Sequence, residues 1–237
     1  MNALNSTISR VDSQTVNSRM WPETEKTRQL MFKAKGGDQS AVNQLLDRHR
    51  NSLDHLVRMR LDKKIQNRVG VSDVVQDVLV EANRRLTRYL ESPAMPFHLW
   101  VRQIARDRII DAHRRHRVSA KRSVDRERSM VVPRGYDQSS VHLASLLDDS
   151  KASPIEVAIQ KELARKVEAS IALLGEKDAE VIVMRHYEQL TNQEISQVLN
   201  VSEATASMRY LRAIRRLKEL INEAQSETSS PDESFAS

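Results

Sequence analysis

Residues 191–221, TNQEISQVLNVSEATASMRYLRAIRRLKELI, constrain the fold of this chain more than any other stretch. Thr191 and Glu194 stand at capping-box spacing, where the hydroxyl accepts from the third amide and the carboxylate reaches back to the cap amide. Ile195, Val198 and Leu199 supply an apolar face behind them. Asn200 tolerates a left-handed conformation and can end that helix, Val201 can plug the corner, and Ser202 is a good cap for a second helix. Ala206, Tyr210, Ala213, Ile214, Leu217 and Ile221 then recur at helical spacing, while Glu203, Thr205, Met208, Arg209, Arg212, Arg215 and Arg216 lie off that stripe. The pattern is a helix, a tight turn and a longer basic helix, a helix-turn-helix suited to reading a major groove. An ordinary helical hairpin with solvated arginines fits the same residues, so the rest of the chain must decide.

That remainder favours helices as well. With 5 Gly, 6 Pro and 4% aromatic residues against 30% charged, the 237-residue chain lacks the turn and pleated-face residues of a sheet protein, and an all-α fold is expected. Cys is absent, which excludes disulfide and thiolate chemistry. No apolar run approaches the ~20 residues of a membrane span and no signal peptide is apparent, so no membrane insertion and a cytoplasmic location are expected.

The segments divide the chain. Residues 1–22 are rich in Ser, Asn and Thr and read as a disordered arm. A helical domain is expected over 23–117, with a helix ending at Gly36-Gly37, Asp38 capping the next, and Ser72 capping a helix whose buried stripe is Val74, Val75, Val78, Leu79, Ala82 and Leu86. Asp73, Gln76, Asp77 and Glu81 lie on or beside its other face; an acidic first turn that merely complements the helix dipole is an equal reading for Asp73 and Asp77. After a Pro-containing loop, FHLWVRQIARDRIIDAHRRH forms a basic helix with Phe97, Trp100, Val101, Ile104 and Ala105 on its apolar face. Ten basic residues against four acids between 100 and 128 point to a polyanion partner. Residues 118–153 read as a linker with one short amphipathic turn around 141–147, residues 154–222 as a second helical domain, and 223–237 as an acidic disordered tail. A metal-dependent nucleic-acid enzyme using His98, His113 and His116 is a poor fit, because flanking arginines repel a cation and no acid cluster accompanies them. No catalytic residue, metal or cofactor is therefore expected.

Two basic elements in two small helical domains resemble the layout of the extracytoplasmic-function sigma factors of bacterial RNA polymerase, in the sigma-70 superfamily. VSDVVQDVLVEANRRL is similar to the family's core-binding helix, with Asp73, Val74, Val75, Gln76 and Asp77 at its acid, apolar, Gln and acid positions. FHLWVRQIARDRIIDAHRRH resembles the helix that reads and opens the minus-ten element, and LTNQEISQVLNVSEATASMRYLRAIRRL the domain that reads the minus-thirty-five element. The resemblance implies a non-enzymatic factor with domains of the region 2 and region 4 types. Its partners would be polymerase core, through the clamp helices of the largest subunit and the beta flap, promoter DNA, and an anti-sigma protein. Asp73, Gln76 and Asp77 would dock to polymerase. Phe97, Trp100, Arg102, Arg106, Arg114 and Arg115 would serve the minus-ten region, beside a loop at 92–97 that holds a flipped base. Ser202, Glu203, Thr205, Met208, Arg209 and Arg212 would serve the minus-thirty-five element. A conventional helix-turn-helix regulator is the competing class; it would need a dimerisation or ligand module, and no segment supplies one.

Overall fold

The computed structural model describes residues 20–117, 138–147 and 157–228, and every regular element among them is helical. The expected arm over 1–22, linker over 118–153 and tail over 223–237 lie wholly or partly outside the described residues. The first half contains α1 (Thr24–Lys35), α2 (Gln39–Arg60), the single turn α3 (Lys63–Gln66), α4 (Val71–Glu91) and α5 (Phe97–Arg117). The second contains α6 (Gln138–Leu147), α7 (Val157–Leu173), α8 (Glu176–Ile182), a π-helical turn (Val183–Tyr187), α9 (Asn192–Leu199) and α10 (Glu203–Thr228).

Local chemistry fixes most boundaries in the first half. Helix α1 ends at Gly36, and Gly37 adopts φ +91°, which a residue with a side chain rarely does. Asp38 then caps α2 by accepting from the Ala41 amide at 3.0 Å. The single helix α2 runs unbroken through Leu45, Leu53, Leu56 and Val57, all at or near zero exposure, and the short turn α3 follows it. Ser72 does not cap α4. That helix begins at Val71, two residues before the start a Ser72 cap would give, with Gly70 as its cap residue and Val71 itself buried on the core side. Ser72 is left exposed in the first turn.

Trp21, just inside the expected arm, is buried instead. Its indole lies 5.8 Å from the His98 ring, and the Ser52 hydroxyl donates to the neighbouring Met20 carbonyl. In the second half, α6 occupies the stretch where a short turn was expected and packs on α7. Leu143 and Ala144 are buried, and the fully buried Ser140 hydroxyl donates to Glu168 at 2.7 Å and lies 3.0 Å from the Tyr187 hydroxyl. This segment therefore belongs to the packed second half. The apolar side chains of both halves join in one contiguous buried cluster.

Beneath α5, His49 is 1% exposed; its Nδ1 donates to the Leu45 carbonyl at 2.8 Å and its ring meets Phe97 edge-on. Burial, against that hydrogen bond, drives its pKa down to about 4. The folded chain thus keeps His49 neutral while the unfolded chain takes up a proton below about 6.5. Stability is complete above that pH and falls as pH drops toward 4, by roughly 1 kcal/mol per pH unit from this group. Urea denaturation at pH 7.5 and 5.5 should show the lower midpoint at 5.5, with a shallower pH dependence in His49→Gln.

Candidate nucleic-acid and polymerase interface

The helix-turn-helix forms as its residues dictate. Thr191 accepts from the Glu194 amide at 3.2 Å, and a Glu194 carboxylate oxygen accepts from the Thr191 amide at 2.8 Å, completing the capping box. Asn200 takes the left-handed conformation, φ 52° and ψ 50°, as the C-cap of α9. Ser202 then accepts from the Thr205 amide at 3.2 Å, and the Asn192 side chain donates across the turn to the Glu203 carbonyl at 3.1 Å. Together these bonds set the angle between α9 and α10. Ala206, Ala213 and Leu217 are fully buried on the inner stripe of α10. Ser202, Glu203, Thr205 and Met208 stand exposed on its first turns, Arg209 is half-buried, and Arg212 is exposed but paired with Asp178 at 2.5 Å.

On the first half, Asp73, Gln76 and Asp77 all project from the outer face of α4. Beside them Val80 is 58% exposed, an apolar residue on the rim of an open groove between α2 and α4 that Asn43, Leu46, Arg50, Gln76 and Leu79 line. At the start of α5 an aromatic cluster forms. Phe97 is buried, and Trp100 is half-buried and stacked on Tyr89 with ring centroids 4.4 Å apart and planes at 21°. The Tyr89 hydroxyl donates to the Met95 carbonyl at 2.8 Å and pins the loop before α5, whose residues 92–94 and Pro96 are exposed. Burial pushes the Tyr89 phenol up to about 12, so it stays a donor.

Further along α5, Arg106, Arg114 and Arg115 are exposed. Glu81 of α4, itself nearly buried, pairs with Arg84 and Arg85 and lies 3.7 Å from Arg108; Asp111 pairs with Arg114 at 3.4 Å and lies 3.7 Å from Arg108. The hydrogen bond from Arg84 holds the Glu81 carboxyl below its ordinary pKa, with burial working against it. Two acids thus fix the spacing of a basic surface built by two helices. The sequence places Glu81 near an outer face but gives no sign that it gathers arginines from α5 as well as from its own helix.

Arg102 sits differently from the other basic residues of α5. It is 3% exposed and faces the second half, where it binds Glu188 and lies 3.2 Å from Glu180. Arg60, the last residue of α2, reaches the same two carboxylates: Nη1 to Glu180 at 2.9 Å and Nε to Glu188 at 2.7 Å. In this arrangement Arg102 is turned away from any phosphate. The partners are 78 to 128 residues apart in the chain, so no local pattern announces them.

The π turn explains why both glutamates reach one place. Residues eight apart on an unbroken α-helix point ~80° apart, whereas a π turn absorbs one residue and brings them back within ~20°. Glu188 donates its amide to the Val183 carbonyl at 3.0 Å, the five-residue closure of that turn. Gln189 then adopts φ 55° and ends it. Burial opposes ionisation of Glu180, but Arg60 and Arg102 outweigh it and hold its carboxyl down at about 2; Glu188 is lowered against its own burial by Arg102 and Arg60. At the rim of the same contact, His98 meets Glu194 at 2.7 Å and the Met20 amide donates to the Gln189 side chain at 2.6 Å.

Comparison with known proteins gives the two halves separate counterparts. Residues 45–118 match the family model for Sigma-70 region 2, and residues 171–219 that for Sigma-70, region 4, together just over half of the chain. The chain belongs to the extracytoplasmic-function group of the sigma-70 family. As a sigma factor it directs promoter-specific transcription initiation. Similar curated proteins include the ECF RNA polymerase sigma factor SigD of Mycobacterium tuberculosis, 21% identical over 206 residues, covering 87% of this chain and 89% of the relative. The ECF RNA polymerase sigma factor SigM of Bacillus subtilis is 26% identical over 167 residues, covering 70% of this chain and 86% of the relative. Among solved structures, CnrH in complex with the cytosolic domain of CnrY shares the fold, with 24% identity, a TM-score of 0.50, and coverage of 87% of this chain and 100% of that one. No helix among the described residues of this sigma factor is long and apolar enough to cross a membrane.

The capping box starts α9, the helix on which α10 packs. Thr191→Ala should lower the stability of the sigma factor's second half by ~1 kcal/mol, read as a shift in chemical denaturation followed by helical circular dichroism.

Proposed function

We propose that this sigma factor binds polymerase core through the exposed face of α4 and contacts its promoter at two points, through α5 and α10. The observation that carries this reading is the exposed set on α4: Asp73, Gln76, Asp77 and a bare Val80 share one outer face. One edge of that face, at Asp77 and Val80, borders a groove shared with Arg114 and Arg115 of α5, and the polar first turns of α10 belong to the second half. Asp73, Gln76 and Asp77 dock on the basic clamp helices of the largest polymerase subunit, with Val80 adding apolar contact at the centre, and the second half engages the beta flap. The loop at 92–96, over the Tyr89–Trp100 stack, receives an unstacked base of the minus-ten element, since holding such a base needs an aromatic-walled pocket. Arg106, Arg114 and Arg115 follow phosphates in the melting region and add salt-dependent affinity. Phe97 supports the aromatic wall from within, and Arg102 joins the phosphate contacts only once it is released from the second half.

On α10, Glu203, Thr205 and Met208 approach base edges, Ser202 approaches a phosphate, and Arg209 and Arg212 supply groove and phosphate contacts. Asp178 holds Arg212 until DNA competes for it. The protein acts by binding and carries out no catalysis of its own, in the cytoplasm where core polymerase and the chromosome are found. A protein that masks its polymerase-binding surface, an anti-sigma factor, regulates it; the solved complex of CnrH with the cytosolic domain of CnrY supports a partner of that kind.

Transcription with purified core polymerase tests the assignment. Charge reversal in Asp73→Lys/Asp77→Lys should reduce promoter-dependent initiation by about tenfold or more through weaker core binding, as expected for charge pairs across an interface; unchanged activity would remove α4 from the docking surface. In footprinting of the holoenzyme, Arg209→Ala should weaken protection of the upstream element and leave melting around the start site intact once bound. A uniform loss on all sequences that disappears at low salt would make Arg209 a phosphate contact only.

A further inference from the structure

We infer that the free chain uses its own two halves as partners: Arg60 and Arg102 of the first half and Glu180 and Glu188 of the second form a latch that holds the promoter-binding halves together until polymerase core separates them. The inference rests on the two-point promoter reading above, and it concerns a surface that reading does not use.

The latch is built from four charges that are buried only because they meet. Arg60, Arg102, Glu180 and Glu188 are 7%, 3%, 8% and 0% exposed, and each arginine touches both carboxylates. Within each half the charges are alike, and Glu180 acts on Glu188 as a like charge, disfavouring its ionisation. Two arginines or two glutamates crowded in a dry site are strongly unfavourable; two of each make a neutral set. Among the described residues neither half satisfies its own pair, so each presents a buried-type site that the opposite charge completes.

Such a contact is specific but readily exchanged. The desolvation of buried ions offsets most of their mutual attraction, so the closed state gains little net free energy from the set, whereas losing one member leaves an uncompensated buried charge. Separation returns all four to water together and avoids that penalty. A purely apolar contact would have no comparable compensation on opening. The π turn, which aims Glu188 beside Glu180, gives the second half a geometry matched to the Arg60–Arg102 pair.

Closure is incompatible with the promoter grip for two reasons. Arg102 cannot face DNA while it is buried against Glu188. In addition, elements centred near minus ten and minus thirty-five are ~25 base pairs apart, about 85 Å of duplex at ~3.4 Å per pair. Two touching domains of ~100 residues, each with a radius of gyration near 13 Å, have centres only ~35 Å apart. Residues 118–137 can span on the order of 65 Å at ~3.3 Å per residue, so the covalent chain allows the halves to part without unfolding either one.

The absence of native cysteine allows two spin labels to be placed cleanly, at Thr87→Cys on α4 and Leu173→Cys at the end of α7, both exposed positions. Pulsed dipolar spectroscopy on the free full chain should give one short, narrow distance distribution. Glu180→Arg/Glu188→Arg should broaden it and lengthen its mean by on the order of 20 Å, the scale of a domain radius. Adding Arg60→Glu/Arg102→Glu should restore the short distance. Should the doubly reversed variant lose helical circular dichroism, Glu188→Gln supplies the test, with a partial long-distance population expected. Adding core polymerase to the otherwise wild-type labelled chain should produce the long distance.

A free wild-type-like chain that already shows the long, broad distribution overturns the latch, as does a short distance that survives charge reversal with helicity intact. A short distance that persists on core while promoter-dependent initiation proceeds also overturns it and leaves the sigma reading standing. Failure of initiation with a normal free-chain distance would count against the promoter reading and not against closure.

Discussion

Four charges meeting in a dry site between the two halves impose a condition that the rest of the chain must meet. Buried ions are tolerated only when each is paired and hydrogen-bonded, so Arg60, Arg102, Glu180 and Glu188 have to arrive in the same place in compatible orientations. Arg60 arrives because α2 runs unbroken to its last residue, and Arg102 because α5 packs its apolar stripe against α2 and α4. The glutamates arrive because α8 runs directly into the π turn before Glu188. The fold is in this sense arranged from its contact outward, with apolar stripes supplying most of the stability and the charges supplying the orientation.

Much of the fold is legible in the sequence, where the determining forces act over a few residues. The Thr191–Glu194 capping box, the left-handed Asn200, the Ser202 cap and the Asp38 cap each depend on a side chain and an amide within one turn, and each takes the expected form. Ser72 shows the limit of that reasoning: a good capping residue lost its place because Val71, buried on the core side, extended the helix past it. Trp21 and the segment Gln138–Leu147 show another. Both lie in stretches whose composition suggests no core, and both are drawn in by partners far along the chain, His98 and Ser52 for the N-terminal residues and Tyr187 and Glu168 for Ser140.

The candidate surfaces divide the same way. The outer residues of α4 and the first turns of α10 are exposed where periodicity leaves them off the buried stripe, so spacing alone identifies them as available for contact. Arginines are harder to read, because their charge fits either a phosphate or a carboxylate. Arg102 and Arg106 are four residues apart on one helix, yet the first is buried against Glu188 and the second is exposed. Only the position of Glu188, fixed by chain folding 86 residues away, distinguishes them. Glu81 makes the converse point, since an acid in a basic neighbourhood serves to space the cations around it.

The π turn at Val183–Tyr187 also bears on how this chain is aligned with its relatives. One residue absorbed into a helix acts as an insertion that leaves no gap in the apolar pattern before it and shifts every position after it. A relative with an unbroken helix would present the same two carboxylates from positions seven apart, where this chain uses eight. Column-by-column comparison would then set Glu188 opposite a residue on a different face, and a shared contact between the halves would look like a private feature of one protein.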